Sequence, residues 1–485
     1  MSKEVKALEP KALWNNFSKL NEVPRGSKKE EKVIRFMTEF GQKLNLETVV
    51  DAVGNVIIKK PATKGLENRK TVVLQSHLDM VHQKNSDTIF DFDTEGIKMI
   101  IDGDWVKAKG TTLGADNGLG VAAIMSVLES STLKHPAIEA LFTIDEETGM
   151  TGAMGLQAGY LSGEILLNLD TEDDDEIDIG CAGGIDVSAK NPFNAVSSPT
   201  NSIGIKISVR GLNGGHSGMD IHRGLGNANK IMNRLLYSTQ EFVRISEIDG
   251  GSLRNAIPRE SFAIVTVKEL YKDQFTKQFN KIVKDIKSEL KTIDPNLEIL
   301  ISDIDLPKKV MTAISQNTLV KTIYALHNGV FRMSNDMKGL VETSNNIARV
   351  IVKDEMSTIL CLTRSSVESS KTDLANTLKA TFELSGFKVT LSGSYPGWKP
   401  NVNSPILKVL SSTYESLFNK KPRVVACHAG LECGILGTNY PEMDMISFGP
   451  TIKGAHSPDE RANIQSAQKF WKYLLEILEN IPVKK

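Results

Sequence analysis

The stretch Gln75-Ser-His-Leu-Asp79 directly follows the apolar run Thr71–Leu74. Such a pattern predicts a buried strand that delivers polar side chains at its end. Other acids follow apolar runs or lie in a glycine-rich loop, and these are Asp116 in Leu113-Gly-Ala-Asp-Asn-Gly118, Glu146-Glu147 after Ala140–Ile144, and Asp170 after Ile165–Leu169. A helix is predicted at Asn117–Glu129. Strands that alternate with a helix in this way predict a mostly parallel α/β sheet.

The polar residues at the strand ends are expected to form one site. In a parallel α/β sheet, ligands bind beyond the carboxyl ends of the strands. His77, Asp79, Asp170 and the Glu146-Glu147 pair all lie at such ends. Taken alone, His77 followed by Asp79 is more typical of a hydrogen-bonded core histidine, so the prediction depends on the shared placement. Two divalent cations with a water between them are the simplest chemistry that uses these ligands.

The chain length of 485 residues indicates two domains, one inserted in the other. After Gly180-Cys-Ala-Gly-Gly184 the pattern changes to alternating strands and long charged helices, and the first pattern returns towards the end of the chain. We therefore expect a catalytic domain formed by residues 1–186 and 398–485. An α+β lid domain is expected at 187–397.

The inserted domain separates His456 from the rest of the predicted site. His456, in Gly454-Ala-His-Ser-Pro-Asp459, is nevertheless assigned to the first sheet because that segment follows the return to the first pattern. Within the insertion, the stretches Gly250–Ile257 and Gly339–Ile347 occupy similar places. Their similarity leaves open whether the lid is internally duplicated.

Short-range signals predict elements around the site. Amphipathic helices are expected at Pro10–Asn21 and Lys28–Leu44, with Ser27 as the N-cap of the second helix. A hairpin is expected at Thr48–Lys60. Ser404-Pro405 is expected to open another helix, with serine as the cap and proline in the first turn.

Composition limits the class of protein. The chain is 40% hydrophobic and 24% charged, which is ordinary for a globular protein, and its net charge of −1 gives no field that would recruit nucleic acid or an anionic membrane. Its four cysteines show no CxxC spacing, which predicts reduced thiols. The start of the chain has no signal core, and no apolar run reaches spanning length. We therefore expect a cytoplasmic protein with no membrane or nucleic-acid partner.

Each candidate ligand has a role that its chemistry allows. His77 offers a neutral imidazole, and Asp79 can fix its tautomer by a hydrogen bond to the other ring nitrogen. The glycine-rich loop around Asp116 could instead cradle a phosphate, but an aspartate would repel phosphate and the lysine of a P-loop is missing. We therefore expect Asp116 to bridge two cations.

Glu146 and Glu147 are expected to have different roles. Adjacent residues on an extended chain point in opposite directions. One of the two should therefore ligate a metal, and the other should act as general base toward the water between the cations. Asp170 and His456 would complete the two ligand sets.

The inserted domain contributes further candidates. His216, flanked by glycines, is either a surface residue or a hydrogen-bond donor to the oxyanion of a tetrahedral intermediate. Arg364 could pair with a substrate carboxylate through its bidentate fork. Asn255 is either a substrate contact or a turn residue. For His428 and Glu432 the sequence leaves pocket-lining and ligand roles open.

These residues resemble those of the di-zinc superfamily of carnosinases, aminoacylases and carboxypeptidases, and within it the aminoacyl-histidine dipeptidase family. The resemblance covers nearly the whole chain. The segments that show it are Val23-Pro-Arg-Gly-Ser27, Gln75-Ser-His-Leu-Asp-Met80, Thr112-Leu-Gly-Ala-Asp-Asn-Gly118, Asp145-Glu-Glu-Thr-Gly149, Gly214-Gly-His-Ser-Gly218, Leu253-Arg-Asn-Ala-Ile-Pro258 and His428-Ala-Gly-Leu-Glu-Cys-Gly434.

The resemblance also implies site roles. It assigns the ligands to two zinc ions, namely His77, Asp116 and Asp170 for one and Asp116, Glu147 and His456 for the other. Glu146 would be the general base, Asp79 the residue that orients His77, and His216 a donor to the transition state. Arg364 would hold the C-terminal carboxylate of a dipeptide.

The implied protein is a cytosolic metallodipeptidase that hydrolyses unblocked dipeptides, including Xaa-His and β-alanyl-histidine types. It would use two divalent ions per chain, with zinc expected and cobalt or manganese as alternatives. Its partner is a small peptide, and a homodimer is compatible with the resemblance. The alternatives are a deacylase of N-acyl amino acids and a metal-binding scaffold without catalysis.

Overall fold

The structure is a computed structural model that describes residues 3–484. Its α-helices are, in chain order, α1 Lys3–Lys6, α2 Lys11–Leu20, α3 Glu31–Lys43, α4 Ala115–Glu129, α5 Glu146–Gly149, α6 Thr151–Gly155, α7 Ala228–Ser238, α8 Lys272–Leu290, α9 Ala313–Ala325, α10 Glu368–Leu384, α11 Pro405–Phe418, α12 Glu432–Asn439 and α13 Ile464–Glu479. Among the described residues, no helix has the length and apolar character needed to span a bilayer.

The strands form the sheets of the protein. They are, in chain order, β1 Glu47–Val50, β2 Val56–Lys60, β3 Val72–His77, β4 Met99–Asp102, β5 Trp105–Ala108, β6 Ile138–Thr143, β7 Ile165–Asn168, β8 Glu176–Cys181, β9 Gly183–Pro192, β10 Ala195–Ser197, β11 Ser202–Arg210, β12 Gly215–His216, β13 Val243–Gly251, β14 Ala256–Ile257, β15 Ser261–Lys268, β16 Glu298–Ile304, β17 Lys309–Met311, β18 Gly329–Met333, β19 Val341–Lys353, β20 Met356–Ser365, β21 Lys388–Tyr395, β22 Arg423–Cys427, β23 Asp444–Ser447, β24 Ile452–Lys453 and β25 Arg461–Asn463.

The chain divides into two compact units. The first contains the residues up to Gly180, then Trp398–Ala426 and the chain from Leu431 onward. The second contains Cys181–Gly397 and the short segment Cys427–Gly430. The division at Gly180 lies a few residues before the domain boundary expected after residue 186.

The first unit is built on a mixed sheet with a parallel centre. Within residues 3–484 this sheet has eight strands in the order β1-β2-β6-β3-β7-β23-β8-β22. The central strands β6, β3, β7 and β23 are parallel, whereas β1, β2 and β8 run antiparallel to their neighbours. Every residue of β3, β6 and β7 is buried, as expected for strands covered on both faces. The predicted fold class is confirmed.

Local predictions around this sheet have mixed outcomes. Helices α2 and α3 lie where amphipathic helices were expected, and β1 pairs with β2 as the predicted hairpin. Ser404 caps α11 by accepting a hydrogen bond from the N–H of Leu407, with Pro405 in the first turn. The prediction that Ser27 caps α3 is wrong, because α3 begins only at Glu31 and the Ser27 hydroxyl donates to Asp79 Oδ2 at 2.7 Å.

The second unit has its own sheet and core. Within the described residues its nine-stranded sheet includes the path β16-β11-β15-β13-β19-β20-β9-β21, with β18 paired to β19. The pairings in this sheet are antiparallel, in contrast to the centre of the first. Helices α7, α8, α9 and α10 contribute apolar side chains to its core. An internal duplication of this unit stays a prediction.

Candidate metal centre

The predicted ligands of the first unit come together at the carboxyl edge of its parallel strands. His77 is the last residue of β3, and Asp170 follows β7. Asp116 lies at the start of α4, where its backbone is not helical, and Glu147 lies in α5. His456 belongs to the segment between β24 and β25. A sheet edge thus collects side chains from distant parts of the sequence.

A first group of donors contains His77, Asp116 and Asp170. The Nε2 atom of His77 lies 3.2 Å from Asp116 Oδ1 and 3.6 Å from Asp170 Oδ1. One donor atom from each residue lies within 4.8 Å of the others. The His77 side chain is buried, so these carboxylates meet it away from bulk water.

A second group contains Asp116, Glu147 and His456, whose donor atoms also lie within 4.8 Å of one another. The Nε2 atom of His456 lies 3.2 Å from Asp116 Oδ2 and 2.8 Å from Glu147 Oε2. Asp116 therefore belongs to both groups. Its Oδ1 faces His77 and its Oδ2 faces His456, which is the geometry of a bridging carboxylate.

Asp79 holds the other side of His77. Its Oδ1 lies 3.3 Å from His77 Nδ1, and its main-chain oxygen lies 3.1 Å from the same nitrogen. The carboxylate also accepts hydrogen bonds from the N–H groups of Glu146 and Glu147, at 3.0 and 3.2 Å. Asp79 thus orients both the histidine and the acidic pair.

Glu146 and Glu147 do not have the extended geometry from which their different roles were predicted, so that prediction is wrong in its geometry. The two residues are not on an extended chain, because the strand ends at Thr143 and both lie in the first turn of α5. Asp145, with φ of 51°, turns the chain between the strand and this helix. The side chains nevertheless differ: Glu147 contacts His456, whereas Glu146 groups with His77 and Glu147.

The electrostatics of the site favour cations. Burial raises the pKa of Glu146 well above its ordinary value and also raises the pKa of Asp170. The hydrogen bonds that the ring of His456 donates to Asp116 and Glu147 raise the pKa of His456 to about 11. Glu146 and Asp170 are crowded with other carboxylates away from water, so they hold protons tightly, and a metal ion would replace those protons.

The donor set fits divalent metal ions. Histidine nitrogens and carboxylate oxygens are typical zinc ligands. The Oε1 atom of Glu147 is buried and has no hydrogen-bond partner among the described residues. An unpaired buried carboxylate oxygen is costly unless a cation satisfies it. The residues present therefore fit a pair of cations that share Asp116.

Glu432 is not a member of either group of donors and instead binds the strands that lead to them. Its Oε2 accepts hydrogen bonds from Gln75 Nε2 at 2.6 Å and from the Thr143 hydroxyl at 2.7 Å. Gln75 and Thr143 lie on β3 and β6, the strands that lead to His77 and to α5. Glu432 therefore joins two strands of the sheet, a role that the sequence left undecided.

Sequence reasoning did not assign Arg25 and Glu460, two buried charged residues that contact the loop of Asp116. Arg25 was noted only as part of a family-like segment, and Glu460 lies just beyond the quoted segment that ends at Asp459. Both are almost fully buried, with 1% and 2% exposure. A charge at an isolated sequence position gives no signal of burial, so only the folded chain reveals them.

The second unit groups His216, Arg364 and His428. The Nδ1 atom of His216 accepts hydrogen bonds from the N–H groups of Gly218 and Met219, at 3.2 and 3.0 Å. Its proton must then reside on Nε2. Burial, and after it the charge of Arg364, lowers the pKa of His216 to about 4 and that of His428 to about 3.

Arg364 and Asn255 have different surroundings in this unit. Arg364 is 5% exposed, its Nη1 donates to the Tyr395 hydroxyl at 2.7 Å, and its Nε has no hydrogen-bond partner among the described residues. The exposed Asn255 accepts a hydrogen bond at its main-chain oxygen from the N–H of Ser217, at 2.8 Å. It thereby connects to the turn that carries His216.

Comparison with known proteins places this arrangement in a family. The model of peptidase family M20/M25/M40 matches residues 73–480. The cytosol non-specific dipeptidase of Escherichia coli is 44% identical over 483 residues, which are 99% of this chain and 100% of that protein. The crystal structure of aminoacylhistidine dipeptidase from Vibrio alginolyticus is also 44% identical, with a TM-score of 0.93 over 100% of this chain and 99% of that one.

A more distant structure shows the same fold. Aminopeptidase PepT from Bacillus cereus is 16% identical, with a TM-score of 0.57 over 98% of this chain and 99% of that chain. The family match and the full-length similarity to the two dipeptidases agree with each other. This chain belongs to peptidase family M20/M25/M40.

Proposed function

We propose that this protein is a metal-dependent dipeptidase that hydrolyses unblocked dipeptides, including Xaa-His and β-alanyl-histidine types. The observation that carries the proposal is the sharing of Asp116 between two groups of metal donors, with Glu146 beside them. The two relatives that are 44% identical along the whole chain are named as dipeptidases, which supports the substrate class. We also propose a cytoplasmic location.

The ligand assignment follows the two groups of donors. His77, Asp116 and Asp170 would hold one cation, and Asp116, Glu147 and His456 would hold the other. Zinc is the proposed ion, with cobalt and manganese as alternatives that the same donors accept. When bound, such ions polarise the scissile carbonyl and make water a stronger acid.

Glu146 is proposed to move the proton. Glu146 can take a proton from the attacking water, and the burial that raises the pKa of its carboxyl makes this group a stronger base. It can then pass the proton to the nitrogen of the leaving amine. Asp79 would keep the backbone of Glu146 in place through the hydrogen bond that it accepts from the Glu146 N–H.

The polar cluster of the second unit is proposed to contact the substrate. His216 has the proton on Nε2, so it can donate a hydrogen bond to the oxyanion that develops during hydrolysis. Arg364, with an unpaired Nε, would bind the C-terminal carboxylate of the dipeptide. Asn255 is proposed as a further substrate contact from the neighbouring turn.

A substrate panel with metal analysis tests the function. We expect about two metal ions per chain by elemental analysis, hydrolysis of Xaa-His and β-alanyl-histidine dipeptides, loss of activity with a chelator, and recovery with zinc, cobalt or manganese. Dipeptides amidated at the C-terminus should react poorly, since Arg364 would lack its partner. Preferential hydrolysis of N-acyl amino acids would contradict the proposal and indicate a deacylase. Full inertness on dipeptides with each metal would indicate a scaffold.

Substitution of His216 by asparagine should lower kcat by about 10²–10³-fold, the range for losing one donor to an oxyanion. Asparagine keeps a polar side chain but does not place a donor where Nε2 lies. Metal content should stay unchanged, because His216 is not among the donors of either group. Steady-state kinetics and elemental analysis of the purified variant measure both effects.

A matched control is available in the same unit. His222 is exposed and lies in a short helical turn close in sequence to His216. Its substitution by asparagine should leave kcat near the wild-type value. Equal effects of the two substitutions, or metal loss from the His216 variant, would reject the proposed role.

A further inference from the structure

One buried carboxylate binds four consecutive backbone N–H groups of the loop that carries Asp116. Glu460 Oε2 accepts hydrogen bonds from the N–H groups of Leu113 and Gly114 at 2.7 and 2.9 Å. Its Oε1 accepts from Ala115 and Asp116 at 2.7 and 3.2 Å. The first N–H groups of a helix lack acceptors within the helix. At the start of α4 the carboxylate of Glu460 is the acceptor for these groups.

A buried arginine holds the same loop through its carbonyl. Arg25 Nη2 donates to the oxygen of Gly114 at 2.6 Å, and Nη1 donates to the oxygens of Leu78 and Asp79, each at 3.1 Å. Arg25 therefore ties the Asp116 loop to the segment that follows His77. Burial lowers the pKa of Arg25 to about 10, so it stays positively charged at neutral pH.

Gly114 is bound by both residues, because Glu460 accepts a hydrogen bond from its N–H and Arg25 donates one to its oxygen. Its φ of 70° lies in the left-handed region that glycine adopts without strain. A side chain at this position would also collide with the Arg25 guanidinium and with Met80. The loop therefore passes between Arg25 and Glu460, and position 114 has no space for a side chain.

Glu460 also belongs to the segment that presents His456. The Glu460 N–H donates to the oxygen of Ser457 at 3.0 Å, and the Ser457 hydroxyl donates to the oxygen of Gly454 at 2.7 Å. These bonds brace the turn around His456, whose φ of 62° is itself left-handed. The carboxylate thus links a braced turn to the loop of Asp116, 344 residues away in sequence.

We propose that Glu460, assisted by Arg25, is a positioning residue that fixes Asp116 relative to His456 and thereby shapes the second cation site. The inference rests on the proposed function, because it assigns Asp116, Glu147 and His456 to that cation. Two of these three ligands lie on segments that Glu460 joins. The first cation site depends on Glu460 only through Asp116.

The test is a titration of the metal-free full-length protein with Co²⁺. Calorimetry measures the affinity of each binding step, and the visible spectrum reports the environment of each bound ion. The variant is Glu460→Gln, which keeps the shape of the side chain but presents an amide N–H₂ to two backbone N–H donors. Binding of the second Co²⁺ should weaken by about 10–100-fold, the range for losing a residue that orients metal ligands. The affinity for the first Co²⁺ should change only a few-fold. The visible spectrum of the second Co²⁺ should differ from that in the wild-type protein.

Glu139→Gln is the matched control. Glu139 is 3% exposed, lies on β6 near the end of the strand that is farther from the ligands, and accepts hydrogen bonds from the N–H groups of Ser162 and Gly163 at 2.8 and 2.9 Å. Its substitution should lower the thermal unfolding temperature as the Glu460 variant does, while both Co²⁺ affinities stay at the wild-type values.

Two results would overturn the proposal. Unchanged binding of the second Co²⁺ by the Glu460 variant would remove the positioning role, and equal weakening in the Glu139 variant would show a general structural effect. If Glu460→Gln does not fold, Glu460→Asp is measured instead, since aspartate keeps both carboxylate oxygens but places them one methylene farther from the loop, and the same selective loss is expected. A wild-type protein that binds two Co²⁺ ions but hydrolyses no dipeptide would reject the proposed function without touching this inference.

Discussion

Replacing Glu146 with glutamine is expected to lower kcat for dipeptide hydrolysis by about 10²–10⁴-fold, the contribution typical of a general acid–base group. Glutamine has nearly the same shape but cannot take a proton from water. The loss corresponds to about 3–5 kcal/mol of activation free energy. The two metal ions should stay bound, because Glu146 is assigned to neither ligand set. Kinetics under saturating metal, together with elemental analysis, measure both quantities.

The matched control for the Glu146 variant is Glu139→Gln, on the strand that leads to Glu146. Glu139 lies on β6, near the start of the strand, and is buried. The Glu139→Gln protein should retain most of its kcat. Loss of metal from the Glu146 variant would show that this residue is a ligand, as its position within 4.8 Å of donor atoms of His77 and Glu147 also allows. An unchanged kcat would remove it from the reaction.

Replacing Asp116 with asparagine should weaken binding of both cations. The neutral amide has one oxygen, so it cannot present a charged oxygen to each side as the Oδ1 and Oδ2 atoms of Asp116 do. The affinity for each ion should fall by more than the ~10–100-fold that follows loss of a group that merely orients a ligand. Metal titration of the metal-free protein measures the effect, and activity at limiting metal should fall with it.

The control for Asp116 is another buried aspartate of the first unit. Asp51 is 7% exposed, and its Oδ1 accepts hydrogen bonds from the N–H groups of Val53, Gly54 and Asn55 in the turn after β1. The Asp51→Asn protein should be less stable but should bind both ions normally. If the Asp116 variant lost one ion and kept the other at full affinity, the carboxylate would not bridge them.

The parts of the fold that follow from local patterns were predictable. The apolar runs before His77, Glu146 and Asp170 gave the strands, and the rule for the edges of parallel sheets gave the common site. His456 was assigned to the same sheet because the α/β pattern resumes after the insertion. These predictions needed only the periodicity of the chain and the direction of its strands.

The parts that depend on contacts between distant segments were not predictable from patterns. The short helix α5 follows a single left-handed residue, Asp145, so the extended geometry assumed for Glu146 and Glu147 did not hold. Ser27 looked like a helix cap, but its hydroxyl is bound by Asp79. Glu460 acts on a loop far away in sequence, and no spacing or periodicity connects the two.

His456 and Glu460 follow the second unit in chain order, so a ribosome synthesises them only after that unit. Once Asp170 has emerged, the nascent polypeptide already contains every donor that we propose for one cation. The other set stays incomplete until translation has passed through the whole inserted unit and reached residue 456. Because chains begin to fold from the N-terminal side during synthesis, loading of the proposed pair of cations would be coupled to synthesis of this last ligand segment. Under the proposed assignment, a nascent chain that stops before residue 456 would lack one donor of the second set, so hydrolysis would begin only after that residue has been synthesised.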